Sequence, residues 1–409
     1  MGNWSELDYD LLGEIVLKLD AIEDFVYFSV VCRSWNRASF LVKPKWKPSM
    51  PCLLLAESHG DQNPDFLRKI LSLDNDRCYE LSLPHTFGAR CWGSTCGWVV
   101  TIDLSRQIYI YNPFTKARLG LPPQPTLPNQ DPPLDNEEED AILARMVSIR
   151  KAIVVKDVER GKNGNDFIVL AIHTNWKRFL SFARPGDLTW TSIVPPWPVE
   201  GTPAILPFSQ RTADVVCKDG SILILYEDAS VGCLDLSDLR KSTKSEHSVK
   251  AKQFLPSSEV FKNRLNKHLQ EMYFVESLGK LLIVLRRKRD VWDPDSQVNE
   301  DEIYKTDRFE VFAFDTEARK WEQVKELGDV ALFVGDNQSI SVRASDCRNC
   351  KSNCIYFTDD CDEFWNLAAK LGGHDMGFFD LEDGKIHQFY SGDDVHSDFC
   401  TPFWFMPHF

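Results

Sequence analysis

Residues 99–115 read V-V-T-I-D-L-S-R-Q-I-Y-I-Y-N-P-F-T, two short apolar runs separated by an Asp-containing turn and closed by an Asn-Pro turn. Val, Ile, Thr and Tyr fill both runs, a composition that suits pleated, buried strands. The module is an apolar strand, a Gly or Asp turn, a second apolar strand, an acidic or Asn-Pro turn, and a last strand with a tryptophan or aliphatic pair. It recurs as F-I-V-L-A-I-H with F-L-S-F-A-R-P-G-D-L-T-W-T-S-I from Phe167, and as F-E-V-F-A-F-D-T-E-A-R-K-W-E-Q-V from Phe309. A module of this kind, repeated along a chain, is the sequence form of propeller blades.

Working outward, the texture from about Pro51 onward is of short β-rich runs bounded by Gly, Asp, Asn and Pro, from Cys52–Ala56 to Lys385–Tyr390. About nineteen short strands require closure or stacking to bury their edges. Without the long loops, on the order of 270 residues remain, and at ~45 per blade this gives about six blades. A pair of β-sandwiches is the alternative. Against it, strand texture continues evenly to Phe403-Trp404-Phe405, and pairing of that segment near Pro51-Cys52-Leu53 closes a ring and removes its edges. Three stretches read as long loops: 121–148, rich in proline and then acidic; 239–268, rich in Lys and Ser; and 290–306.

Composition bounds the function classes. The 409 residues are 43% hydrophobic and 12% aromatic, enough for one large core or two domains. Lys and Arg number 47 against 61 Asp and Glu, a net −14 that opposes nucleic-acid and anionic-membrane binding. The twelve cysteines are scattered without a framework. There is no apolar run of membrane-spanning length and no basic segment leading into an apolar one. Together these point to a reduced intracellular protein, in nucleus or cytoplasm, with no membrane or nucleic-acid partner. The sequons at Asn3 and Asn337 are read as chance matches, and Gly2 fails as a myristoylation site because Glu6 stands where Ser or Thr is required.

The first forty residues carry a different period. Leu7, Leu11, Leu12, Ile15 and Leu19 recur at three- and four-residue spacing and share a helical face. Ser5 with Asp8 forms a capping-box pattern, and Asp20 or Asp24 can cap a second helix bearing Ile22, Phe25 and Phe28. So short a unit buries too little apolar surface to stand comfortably alone, which leaves a face for a partner.

W-S-E-L-D-Y-D-L-L-G-E-I-V-L-K-L from Trp4, followed by V-C-R-S-W at 31–35, resembles an F-box. One family residue is missing: Asp8 follows Leu7 where the pattern carries a proline, so the φ that proline fixes is not imposed. The remainder is similar to the C-terminal module of a large group of plant F-box proteins, catalogued as a domain of unknown function of the DUF295 type. The matching pieces are G-S-T-C-G-W-V-V at 93–100, Y-N-P-F-T at 111–115, I-R-K-A-I at 149–153, A-R-P-G-D-L-T-W at 183–190, N-C-I-Y-F-T-D-D at 353–360 and P-F-W-F-M-P at 402–407.

The resemblance implies a mainly β fold: a small all-α F-box over residues 1–44, then a β-propeller-like substrate-binding domain over 45–409. It implies no catalysis, no cofactor and no metal. The implied role is a substrate-recognition subunit of a Skp-cullin-F-box ubiquitin ligase. The F-box docks a Skp-type adaptor through Leu7, Leu11, Leu12, Ile15, Leu19, Val31, Cys32 and Trp35, and through it a cullin–RING ligase; the propeller recruits an unknown protein substrate. Loop tryptophans are the candidate substrate contacts: Trp92, Trp176, Trp197, Trp292 and Trp365. The competing readings are a ubiquitin-independent interaction module with a weakened F-box, and a propeller hydrolase using paired carboxylates.

Four other motifs invite chemistry. Gly93-Ser94-Thr95-Cys96-Gly97 is one residue type from a nucleophile elbow, but a strand rather than a helix follows, so turn glycines are the reading. Cys347, Cys350, Cys354, Cys361 and His374 crowd like a zinc site yet lack two short ligand pairs, and read as loop thiols with Cys354 starting a strand. Arg286-Arg287-Lys288-Arg289 suggests nuclear import, but reads as the solvated end of an apolar strand. The proline-rich, acidic 121–140 stretch reads as a tolerated insertion that offers a docking strip for a basic partner.

Overall fold

Apolar residues at helical spacing build the N-terminal unit. In the computed structural model, a 3-10 turn (Trp4–Glu6) leads into α1 (Tyr9–Val16), α2 (Ile22–Val30) and α3 (Arg33–Val42). Residues 4–408 are described, except 20–21, 43–49, 58–65, 74–76, 131–147, 158–166, 174–177, 198–210, 242–247, 263, 266–269, 291–302, 362–371, 391, 393–394 and 398–399. The expected cap is corrected: Ser5 falls in the 3-10 turn, and Asp8 is the N-cap of α1, its carbonyl accepting the Leu12 N–H at 3.0 Å. Asp24 lies inside α2, and Asp20 lies outside the described residues.

Six sheets follow. The first has β1 (Cys52–Leu54), β2 (Leu67–Ser72) and β3 (Arg77–Ser82); the second has β4 (Arg90–Gly93), β5 (Val99–Ile102), β6 (Ile108–Tyr111) and β7 (Arg118–Gly120). The third has β8 (Ile149–Lys156), β9 (Phe167–His173), β10 (Phe179–Ala183) and β11 (Thr191–Val194); the fourth has β12 (Thr212–Lys218), β13 (Ser221–Tyr226) and β14 (Val231–Asp235). Then β15 (Ser248–Lys250) pairs back in parallel with β11, and β16 (Lys252–Leu255) completes the fourth sheet against β14. The stretch 239–268, expected as a loop, therefore supplies an edge strand to each of two blades.

The fifth sheet comprises β17 (Gln270–Ser277), β18 (Lys280–Asp290), β19 (Tyr304–Asp315) and β20 (Lys320–Val324). The sixth comprises β21 (Val330–Val334), β22 (Ile340–Arg343), β23 (Cys354–Phe357), β24 (Gly377–Asp380) and β25 (Lys385–His387), with β21 and β23 parallel. Last, β26 (Phe403–Phe405) pairs with β1, Trp404 opposite Leu53. The C-terminal strand thus completes the first blade, and the six sheets make a six-bladed propeller.

The ring is explained by period 2. Successive side chains on a strand point to opposite faces, so a strand buried on both faces is apolar throughout. On β9, Phe167, Val169 and Ala171 join the cluster shared with the second blade, while Ile168, Leu170 and Ile172 join that shared with the fourth. The same alternation repeats, and six apolar clusters each join two neighbouring blades. The last lies between blades six and one, with Phe333 and Tyr356 against Leu53, Leu71 and Trp404. A pair of sandwiches has no such circuit.

Two other loop readings change. Leu121 and Leu127 are buried, and the Pro122 carbonyl accepts the Trp190 indole N–H at 3.0 Å, so the start of 121–148 is pinned to the core. Residues 131–147 lie outside the described residues. In 290–306, Asp290 ends β18 and Tyr304 opens β19, while 291–302 lie outside the described residues.

Candidate adaptor-docking face and inner charge network

The helical unit sorts its own apolar residues into two sets. Leu12, Val16, Phe25, Phe28 and Ala38 are buried and belong to one apolar cluster with Leu54, Cys91, Phe403 and Phe405 of the propeller. Leu7, Leu19 and Trp35 pack half-buried against it, and the Trp35 ring sits 4.4 Å from that of Phe28. The Trp35 indole N–H donates to the Trp4 carbonyl at 3.0 Å, which ties the closing motif to the first turn. By contrast Leu11 is 55%, Ile15 37% and Val31 58% exposed. Leu11 and Ile15 lie one turn apart on α1. Tyr9, Phe40 and Leu41 are exposed as well, and Cys32 is half-buried with its thiol 3.0 Å from the Ser34 hydroxyl. Leu12, expected on the docking face, is instead wholly internal.

At the inner strands the composition turns from apolar to charged. Along β18, Leu282 and Val284 face the sixth blade; Arg286 and Lys288 continue on that face and are buried. Arg286 donates to Asp360 Oδ1 and Asp375 Oδ2, both at 3.0 Å, to Thr306 Oγ1 at 2.8 Å and to the Thr358 carbonyl at 2.7 Å. Its guanidinium also lies 4.6 Å from the Phe357 ring centroid. Lys288 Nζ reaches Asp360 Oδ1 at 2.7 Å, and the Tyr273 hydroxyl donates to Asp360 Oδ2. Such satisfaction is what a buried charge requires. The basic tetrad is therefore no solvated strand end: two of its four cations are internal, and Arg287 and Arg289 point the other way.

The network extends around the ring. Arg150 on β8 pairs with Glu271 on β17 at 2.7 Å, and Lys151 pairs with Asp214 on β12 at 2.8 Å. Arg178 bridges Glu271 and Glu227, and Arg90 on β4 reaches Asp336 at 3.3 Å. Burial alone would raise the Asp360 carboxyl; Lys288, Arg286 and Arg150 outweigh it and hold the group far below the usual carboxylate range. Glu271 is likewise lowered, burial being overcome by Arg150 and Arg178. Glu227 is raised, burial prevailing over Arg178 and Arg211. Beside them Asp359 accepts from the Tyr304 hydroxyl at 2.8 Å and the Gly373 N–H at 2.8 Å. Gly373 has φ +104°, and a Cβ there would lie 1.8 Å from the Val395 carbonyl oxygen.

The comparisons agree with this architecture. A family model described as the KIB1-4 beta-propeller matches residues 70–380, and the F-box domain model matches residues 4–47. The chain belongs to the KIB1-4 beta-propeller family. F-box protein SKIP23 of Arabidopsis thaliana is 24% identical, over 94% of this chain and 91% of the relative. The putative F-box protein At5g55150 of the same plant is 23% identical over 99% and 97%, and At4g22170 is 24% identical over 100% and 97%. F-box plus KIB1-4 propeller is the build of a substrate-adaptor protein, and F-box domains in general bind Skp-type adaptors. Both families are typically non-catalytic.

Within this KIB1-4 propeller the tryptophans expected to meet substrate fall into three groups. Trp92 is fully buried on β4, and its indole N–H donates to the Arg150 carbonyl at 3.1 Å; it is core between blades two and three and presents no surface. Trp197 is half-buried, its ring edge-on to Tyr226 at 5.1 Å. Trp176, Trp292 and Trp365 lie outside the described residues.

The false elbow is a β-turn joining β4 to β5, in which the Ser94 hydroxyl donates to the Trp98 carbonyl. Its glycines are needed for close approach: a Cβ on Gly93 would sit 2.0 Å from the Trp404 carbonyl oxygen, and one on Gly97 2.5 Å from His408. Among the described residues, the cysteines near 350 form no metal-capable group with Cys361 or His374; such a group occurs at Asp380, Asp383 and His387. No helix among the described residues is long and apolar enough to cross a membrane. The network around Asp360 is what sequence reading missed, and its signal was Asp359-Asp360 one residue beyond the buried strand β23.

Proposed function

We propose that this protein is the substrate-recognition subunit of a Skp-cullin-F-box ubiquitin ligase. The observation that carries the reading is the outward face of the F-box, where Leu11, Ile15 and Val31 are exposed although the unit's other apolar face is filled by the core it shares with the propeller. Exposed apolar residues around such a small helical unit fit a partner protein. Asp8 supports it too, because its φ of −59° is the value proline would impose. The absent proline therefore leaves the first turn of α1 in the geometry a proline would give, which weighs against a weakened F-box.

On this reading the propeller recruits a protein substrate through its loops, and the contribution to ubiquitin transfer is positional. Holding a substrate lysine near a charged conjugating enzyme raises effective concentration without chemistry by this chain. A hydrolase would need a carboxyl raised for acid work next to an ionised one. Asp360 and Glu271 are held ionised in ion pairs; Glu227 is raised beside Glu271, but its two oxygens are taken by Arg178 and Arg211, which leaves neither oxygen for acid work. None of the twelve cysteines is in a disulfide, in keeping with a place in nucleus or cytoplasm.

The test is co-purification of a Skp-type adaptor with the intact chain, with a Leu11→Asp, Val31→Asp variant, and with Leu12→Asp. The exposed pair is expected to lose the adaptor at least tenfold while melting as the parent does. Leu12→Asp is expected to lose fold and adaptor together, because it buries a charge. An intact chain that binds no adaptor overturns the proposal in favour of a ubiquitin-independent module.

A further inference from the structure

One cluster, at the seam where the ring closes, has no part in adaptor docking. Arg68 on β2 is fully buried; its Nε and Nη2 donate to the Leu55 carbonyl at 3.1 and 2.6 Å. Its remaining donor, Nη1, is directed at two sulfurs, Cys91 Sγ and Cys400 Sγ, each at 3.8 Å, and Nη2 reaches Cys400 Sγ at 3.7 Å. Among the described residues no carboxylate forms an ion pair with it: the nearby Glu57 carboxylate accepts the Gly88 N–H at 2.9 Å. A guanidinium out of water needs an anion, and the group within reach is sulfur. The Cys91 thiol donates to the Ala89 carbonyl at 3.5 Å, and the Cys91 side chain first, then Arg68, holds Cys400 well below the usual thiol range. Cys91 is shifted the other way, chiefly by burial. One cysteine is thus set up as a thiolate and its neighbour as a thiol, both buried at the seam and both within 3.8 Å of the same guanidinium nitrogen, the pairing that oxidation to a disulfide uses when a small peroxide reaches it.

The placement gives the pair a consequence. Cys91 belongs to β4, the first strand of blade two, and Cys400 lies three residues before β26, the strand that completes blade one. We propose that Arg68, Cys91 and Cys400 form a redox latch on ring closure, in which a peroxide converts the two thiols to a disulfide joining the C-terminal segment to blade two. The Cys400 thiolate attacks the peroxide oxygen, the O–O bond breaks, and sulfenic acid and hydroxide result. The Cys91 thiol then gives up its proton and attacks the sulfenic sulfur, expelling water. In sum two thiols and one hydrogen peroxide give one disulfide and two waters; sulfur is oxidised and peroxide reduced. A thiol reductant reverses the step.

The experiment treats the folded full chain with graded hydrogen peroxide, blocks remaining thiols and maps cross-linked peptides by mass spectrometry, with exposed Cys78 as internal comparator. A Cys91–Cys400 cross-link is expected at a peroxide dose several-fold below that which modifies Cys78, with slower proteolysis of the C-terminal segment. Oxidation of Cys78 while Cys91 and Cys400 stay free overturns the latch, as does over-oxidation of Cys400 without a cross-link. Because loss of Cys400 can unfold the seam, the second variant is Cys91→Ser, which keeps the nucleophile and removes its resolving partner. Dimedone is expected to trap sulfenic acid at Cys400 in that variant; a chain that melts as the parent does and gives no adduct overturns the proposal.

Discussion

At Asp8 the backbone holds φ −59° and ψ 141°, and the side chain makes no capping hydrogen bond. Proline there fixes a φ already adopted and restricts only the unfolded chain, so Asp8→Pro is expected to stabilise by about 0.4–1 kcal/mol, read as a raised melting temperature. Arg286 is the opposite case, since truncation takes the cation from Asp375 and leaves Asp360 with Lys288. Arg286→Ala is expected to cost about 3–5 kcal/mol in urea unfolding, whereas Arg287→Ala, half-buried on the opposite face of β18, stays within about 0.5 kcal/mol. The alternation that separates these two residues is present in the sequence of β18. The partners that make Arg286 and Lys288 internal are not, because Asp360 and Asp375 come from the next blade. Trp92 was misread for a related reason: near a Gly-rich turn it resembles a loop residue, and only the approach of blade three buries it.

Elements were legible in proportion to how apolar they are. β9 and β13, buried almost throughout, announce themselves. β15 and β16 are largely exposed edge strands whose Lys and Ser content reads as loop, and they are held in place by pairing with β11 and β14. β4 spells Arg-Cys-Trp-Gly and carries no alternation at all, yet its glycine is set by the seam against β26. There Gly93→Ala forces a methyl into the Trp404 carbonyl, a backbone atom that cannot rotate away. The expected result is a loss of roughly 1–3 kcal/mol, from the strain of overpacking, and faster proteolysis after β25. The F-box helices were legible as helices and as a family resemblance. Which leucine faces inward was not, because Leu11 and Leu12 are adjacent and the spacing that includes both spans two faces.

At the scale of the whole molecule, ring closure was legible as a need, since many short strands must lose their edges, and the blade count followed from length. The charge network was not, because it joins blades three, four, five and six through pairs such as Arg150 with Glu271 and Lys151 with Asp214. It makes the ring acid-sensitive. Asp360 and Glu271 are depressed in the folded state, so their stabilisation is full above the unfolded carboxylate range near pH 4. It is lost as pH falls through their lower folded values. Urea midpoints are expected to change little from these groups between pH 5 and 8 and to drop below about pH 4; a flat profile to pH 2 contradicts this. Closure by β26 also sets an order of events during synthesis. The F-box precedes the propeller along the chain, yet its core includes Phe403 and Phe405, so it and the first blade alike wait for a strand distant in sequence, paired as Leu53 with Trp404. Until that strand arrives the helical unit lacks part of its floor and the first blade lacks a partner, so one short segment finishes both at once.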